Sequence, residues 1–356
     1  MEITLFGSSI TSAYWNGAAT YYRGICQALH RLGHQPVFVE QDIYGRQQHR
    51  DLAEDPDYAR VVVCHDLAEL EREVERARES DLVVKCSGVG RYDDELERAV
   101  LDARRPDNRV VYWDVDAPFT LDKASREPEW PFPDLIPRYD AILTYGGGPR
   151  VRDGYLALGA RTVELVYNAL DPETHHPEPP DAANKCDLLF VGHRLPDREA
   201  RVRAFFLGAA ELCPKHTFLL GGEGWGDTIL SPNVRYIGHV PTALHNRLNC
   251  SARLVLNINR QAMADYGYSP PTRVFEAAGA GACIVTDRWE GIGTFLEPGE
   301  EVLVAANPEE VARFVVSVTA SESARIGERA RARVLAEHTY GRRGEQLERF
   351  FARLFG

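Results

Sequence analysis

An arginine and a glutamate three residues apart, Arg273 and Glu276, lie within the stretch YGYSPPTRVFEAAGAGACIVTD at residues 266–287. On a helix that spacing places guanidinium and carboxylate on one face. A guanidinium fork matches phosphate oxygens, and a carboxylate can accept both hydroxyls of a ribose. The pair therefore reads as a nucleotide site. Ser269 is expected to cap the helix, with Pro270 and Pro271 in its first turn. Gly279 and Gly281 end it, and Ala282 to Thr286 reads as a short buried strand. The free N–H groups and positive dipole end of such a helix suit a phosphate. Backbone N–H groups from Ser269 to Thr272 are expected to join that cradle. Taken alone, the same two residues also describe a surface ion pair on an ordinary α/β helix.

The elements that must position this pair follow from the rest of the chain. Its 356 residues suit two domains, and 44% apolar with 26% charged residues is ordinary globular composition. A net charge of −12 argues against general nucleic-acid binding, although a local basic site for an anionic ligand is compatible with it. The seven cysteines are scattered, odd in number and lack a C-x-x-C, so neither a disulfide framework nor structural zinc is expected. No signal peptide or membrane-length apolar run is visible, so a cytoplasmic protein is expected.

Short apolar runs alternate with helical segments. Strands are expected at residues 3–6, 37–40, 82–85, 110–113, 141–144 and 162–165, and helices at 18–32, 94–103 and 149–158. This alternation indicates a parallel sheet with helices on both faces. Residues 171–184, DPETHHPEPPDAAN, break the rhythm and read as an interdomain linker with solvated His175 and His176. A second alternation follows, with strands at residues 187–191, 218–220, 234–237, 254–257, 283–286 and 302–304. The expected layout is an α/β chain of two tandem Rossmann-like, doubly wound domains, 1–170 and 185–338, facing across a cleft. The amphipathic segment 339–356 is expected to pack back on the first domain, with contact to a membrane as the lesser alternative.

The order of blocks resembles one family. It runs GSSITSAYWNGAATYYRGICQALHRLGH after the first strand, YWDVDAPFTLDK, IPRYDAILTYGGG, LFVGHRLPDREARV, the long block NINRQAMADYGYSPPTRVFEAAGAGACIVTDRWEGIGTFLEPGEEVLVA, and EHTYGRR. This resembles the CgeB-like, spore-maturation-type glycosyltransferases, relatives of the group 1 glycosyltransferases with the GT-B fold. The resemblance covers nearly the whole chain, and residues 257–305 are its most specific part. It implies that the second domain binds a nucleotide-diphosphate sugar (UDP-, dTDP- or GDP-linked) and the first an acceptor. It also implies that no metal or prosthetic group is needed. Asp114-Val115-Asp116 spells D-x-D, but on the domain that is wrong for donor binding. Group 1 relatives often carry two glutamates separated by seven residues. Glu276 matches the second, and Tyr268 stands at the first.

Transfer from a nucleotide sugar must stabilise charge on the departing diphosphate. Arg194, Arg260 and Arg273 are the candidates for that role, and a surface salt bridge is the alternative for each. Glu276 is assigned to the ribose, with Ser269, Thr272 and Gly192 lining the phosphates. His239 is placed near the base, a loop or core histidine being equally compatible. On the acceptor side, Gly7 to Gly17 is expected to approach the donor sugar, with Asn16 and Gly17 before a helix start. Asp116 is the candidate general base if configuration inverts, a helix cap before Pro118 being the alternative. Trp15 and the turn Gly146-Gly147-Gly148 are expected to line the cleft. A GT-B-type epimerase or hydrolase, and a non-catalytic nucleotide-sugar binder, are the competing readings.

Overall fold

Seven short runs rich in Val, Ile, Leu and Phe pair into one parallel sheet. They are β1 (Glu2–Gly7), β2 (Gln35–Gln41), β3 (Arg60–Cys64), β4 (Leu82–Cys86), β5 (Arg109–Asp114), β6 (Ala141–Thr144) and β7 (Val163–Leu165), in the order β3-β2-β1-β4-β5-β6-β7. Their near-continuous apolar character suits strands covered by helices on both faces. Register is set by pairs such as Ile3 with Pro36 and with Leu82. The computed structural model describes every residue except Trp15, so the expectation for Trp15 lies outside the described residues.

A second parallel sheet follows: β8 (Cys186–Val191), β9 (Phe218–Gly221), β10 (Val234–Tyr236), β11 (Ala252–Asn257), β12 (Ile284–Asp287) and β13 (Leu303–Ala305), ordered β10-β9-β8-β11-β12-β13. Its core includes Leu188, Phe190, Phe206, Leu220, Leu256 and Val311. The chain divides into two compact units, Met1–Tyr167 with Tyr340–Gly356, and Asn168–Thr339. In each sheet the strand order reverses beside the first strand, at β1/β4 and at β8/β11. In open α/β sheets, ligands sit beyond the carboxyl ends of the strands at such points.

The last helix, Tyr340–Phe355, belongs to the first unit and lies on the helix Ala19–Arg31. Leu347, Phe350 and Phe351 are buried there, and a Cβ at Gly24 would strike the Tyr340 ring. Arg343 Nε donates to the Tyr167 carbonyl at 2.9 Å. The apolar face of this helix is thus consumed inside the unit, which removes the membrane alternative for it. No helix among the described residues is long and apolar enough to cross a membrane.

Residues 171–184 do not form a linker; they are folded into the second unit. Asp171 accepts from the Glu173 N–H and the Thr174 hydroxyl, and the Asp181 N–H donates to Ser251 Oγ at 2.7 Å. His175 is 2% exposed rather than solvated. The Pro, Asp and His content suggested a tether, but Asp171 and Asp181 tie the segment to local and tertiary partners. β3 was also missing from the expected strands, as were the helices Leu67–Arg76, Ala117–Arg126 and His245–Ser251. Leu67–Arg76 is capped by Asp66, which accepts from the Glu69 N–H.

Candidate functional site

The second unit gathers charged side chains beyond the carboxyl ends of β8, β11 and β12. The helix carrying Arg273 and Glu276 spans Thr272–Gly279, with Pro271 as its N-cap. Ser269 does not cap it; fully buried, it donates its hydroxyl to the Gly267 carbonyl at 3.0 Å. Pro270 and Pro271 lie before the helix rather than in its first turn. Neither has an N–H, so the free donors at this end come from Thr272 and Arg273. Tyr268, at the position of the missing glutamate, holds a left-handed backbone at φ 45°. Strain of this kind persists only where surroundings enforce it. Here the Tyr268 N–H donates to the Glu290 carbonyl at 2.6 Å, and its ring lies against Gly291.

Glu276 is 8% exposed. His175 Nε2 lies 3.7 Å from one carboxylate oxygen and His245 Nδ1 lies 3.8 Å from the other. Burial pushes the carboxyl pKa up, but His175, His245, Arg273 and a hydrogen bond with Thr272 outweigh it and leave it below the usual range. Glu276 therefore remains an anion in a dry setting. Both histidines stand just outside hydrogen-bond distance, and the buried ring nitrogens of His175 find no partner. Burial lowers His245 to about 4, so at neutral pH it carries no charge. A carboxylate held this way keeps lone pairs free for incoming hydroxyls.

Three cations, Arg198, Arg260 and Arg273, lie close enough to act on one another. Arg198 projects from the helix Pro196–Val202; its Nη2 donates to the His193 carbonyl at 2.7 Å, and its buried Nε has no partner. Burial and then Arg273 lower Arg198 to about 10. Arg273 is itself lowered by burial, with Glu276 opposing. Two guanidinium groups that repel each other in a partly dry site are relieved by an anion. Arg260 donates to Asp197 Oδ2 at 2.6 Å. The fork of Arg194 is taken by Glu199 at 2.8 Å and Asp227 at 2.7 Å, the salt-bridge alternative for this residue. Arg198, four residues on, keeps an unpartnered Nε. Both residues were visible in the sequence after β8, but their partners were not.

Loops after β8, β9 and β10 close one side. Gly222 holds φ 111°, and a Cβ there would strike the Gly192 carbonyl, so the two loops touch only because this residue is glycine. His193 Nδ1 accepts from the Glu223 N–H at 3.1 Å. His239 stacks on His193 with centroids 6.4 Å apart, and lies 3.7 Å from Glu223. Beneath the loop after β11, Asn259 N–H donates to buried Asp287, which also pairs with Arg201. Asn257 Nδ2 bonds Thr286 Oγ1 at 3.0 Å. This Asn-Thr-Asp platform was missed; the N-x-N that begins at the last residue of β11 and the aspartate ending β12 were its signal.

The first unit treats its expected residues differently. Asn16 donates to the Ser9 and Ser12 carbonyls and accepts from Ser8 Oγ at 2.9 Å, so its side chain is consumed in shaping the loop after β1. Gly17 is exposed. Asp114 is fully buried and accepts from Ser87 Oγ, the Asp116 N–H and Tyr155. Both its oxygens are engaged within the protein, so Asp114 is a structural hydrogen-bond hub. Asp116 is the N-cap residue of Ala117–Arg126, without a side-chain cap bond. Gly147 and Gly148, at φ 86° and 50°, turn the chain into the helix Gly148–Ala157.

A sequence match covers most of the second unit and runs into the last helix of the first. Residues 198–349 match a family described as glycosyl transferase-like. No curated protein matches the chain by sequence. Solved structures match across the whole length. A sucrose-phosphate synthase from Thermosynechococcus elongatus superposes with a TM-score of 0.71 at 13% identity, covering 100% of this chain and 99% of that one. Anabaena Alr3699/HepE, solved in complex with UDP-glucose, gives 0.68 at 16% identity, covering 99% and 100%. AviGT4, a glycosyltransferase of avilamycin A biosynthesis, gives 0.63 at 17% identity, covering 100% and 98%. The chain has the GT-B fold of these proteins, with two Rossmann-like units.

Proposed function

We propose that this chain transfers a glycosyl group from a nucleoside diphosphate sugar, held on the second unit, to an acceptor held on the first, without a metal ion. The observation that carries this reading is Glu276. It is an ionised, nearly buried carboxylate beside Arg273 at a helix start, in a segment matched by a glycosyl transferase-like family. Its free lone pairs suit a ribose diol. Arg198 and Arg273, with the N–H groups of Thr272 and Arg273, supply positive charge where a diphosphate would depart. His193 and His239 would border the base. Uridine is the first base to test, because Alr3699/HepE was solved with UDP-glucose.

The order of motif blocks supports a CgeB-like member of the group 1 glycosyltransferases. Tyr268 in place of the first glutamate means that the donor sugar is met by a different set of groups than in group 1 relatives. Asp116 would serve as the base if the reaction inverts.

A thermal-shift panel of UDP-, dTDP- and GDP-sugars without metal, on wild type and Glu276→Ala, tests the proposal. A sugar nucleotide that stabilises the wild type and not the variant supports it. Equal stabilisation of both removes Glu276 from the site, and no response to any nucleotide sugar removes the donor reading.

A further inference from the structure

Arg46 is the largest buried side chain of the first unit that is left incompletely paired. It is 0% exposed, yet Nε and Nη2 have no hydrogen-bond partner. Only Nη1 is engaged, donating to the Ser8 carbonyl at 3.3 Å and the Val89 carbonyl at 2.9 Å. Those two carbonyls belong to the loops after β1 and β4, at the point where the first sheet reverses its strand order. The free edge is the Nε/Nη2 side, the one that makes two parallel N–H···O bonds to a carboxylate or phosphate.

The neighbouring acids do not satisfy it. Glu40 accepts from the Ile10 N–H, the Thr11 hydroxyl and Gln47 Nε2. Asp93 accepts from Lys85 Nζ at 2.9 Å and the Gly90 N–H at 2.6 Å. A second donor is also stranded: Gln41, 1% exposed, accepts from the Arg91 and Tyr92 N–H groups through Oε1, while its Nε2 has no partner. Leaving such donors buried and unpaired is destabilising unless a ligand completes them.

Tyr44 lies over Arg46. Tyr44 places its ring centroid 5.6 Å from the guanidinium carbon, is itself 60% exposed, and holds a left-handed backbone at φ 56°. A tyrosine in that conformation is strained, and an exposed ring is displaced at little cost.

We propose that the Nε/Nη2 fork of Arg46, reached when Tyr44 swings aside, is a receptor for an oxyanion on the acceptor, a carboxylate or a phosphate carried by a sugar. That the oxyanion belongs to an acceptor rests on the transfer reaction proposed above; the receptor itself does not. The test is calorimetric titration of the full chain with glucuronate, glucose 6-phosphate and uncharged glucose. One charged sugar binds at least tenfold more tightly than glucose, and which one it is names the oxyanion. Arg46→Lys, which keeps the charge but not the fork, loses that preference at least tenfold, and Tyr44→Ala strengthens charged-sugar binding at least threefold. Equal affinity for charged and uncharged sugars in the wild type overturns the proposal, as does a preference that survives in Arg46→Lys. Should Arg46→Lys not fold, unchanged charged-sugar affinity in Tyr44→Ala overturns it. A nucleotide titration of the same samples reports the second unit separately. Lost nucleotide binding with an intact Arg46 preference would sink the donor reading and leave the receptor standing.

Discussion

The carboxyl ends of the two sheets are built from similar residues and finished differently. Beyond the first sheet, Ser8, Asn16, Glu40 and Asp114 are satisfied by neighbouring side chains and backbone, and Arg46 with Gln41 is the exception. Beyond the second, Glu276, His175, His245, Arg198 and Asn259 keep unfilled hydrogen-bonding capacity in a partly dry site. Saturated polar groups make a rigid loop whose backbone can be presented to a ligand. Unsaturated charged groups make a site that is completed by one. The first region is shaped for position and the second for charge.

The largest effect that could break this contrast is on turnover. Arg198→Ala is expected to lower kcat by about 100- to 1,000-fold, the usual loss for one donor to a developing anion, while Arg194→Ala stays within about threefold. Steady-state kinetics with the responding sugar nucleotide reads both; similar losses in the two variants would erase the distinction drawn between them. Glu276→Ala is expected to weaken nucleotide binding by about 100-fold, two charge-assisted hydrogen bonds being lost, with only a small fall in the melting temperature of the free protein. A large fall in that melting temperature would make Glu276 a structural residue instead.

On the first unit the same kind of change should act on stability. Asp114→Asn is expected to destabilise by about 2 kcal/mol in urea unfolding, because a buried charge-assisted network loses strength. Nucleotide affinity should not change. A wild-type urea midpoint in this variant would mean that Asp114 is held for chemistry after all.

The smallest effect is a pH dependence of the second site. His245 titrates at about 4 in the fold and near 6.5 unfolded, so the unfolded chain binds more protons between those values. Its contribution is complete above pH 6.5 and is lost as pH falls towards 4. Between pH 7.5 and 5.5 the wild type should lose about 1 kcal/mol that His245→Gln does not lose. Parallel pH profiles for the two proteins would show that His245 is not buried in its neutral form. Glu276, held below its ordinary range, adds its own loss only below pH 4.5, as pH falls through its folded value.

Much of this frame was legible in the chain. The strands at residues 3–6, 141–144 and 254–257 announced themselves as apolar runs between turn residues, and the helix bearing Arg273 and Glu276 followed from its alanines and flanking glycines. β3 escaped because its five residues, RVVVC, sit in a polar stretch at the sheet edge. Residues 171–184 escaped because composition reports solubility, not partners. The same blindness explains Arg194 and Arg198. Both lie after β8 with charged neighbours, and only the fold shows that Glu199 and Asp227 take one and leave the other.

Local order and the type of chemistry were therefore determined by the sequence itself: periodicity decides helix from strand, and Arg with Glu at a helix start decides for phosphate and ribose. Which polar groups are saturated was decided only by the tertiary structure. His175 comes from a segment that reads as linker, His245 from a helix that went unseen, and Glu276 from a third element. Their convergence depends on long-range packing, and burial at that meeting point sets their charge states. Hydrogen-bond capacity is a property of each residue, but whether it is filled is a property of the fold.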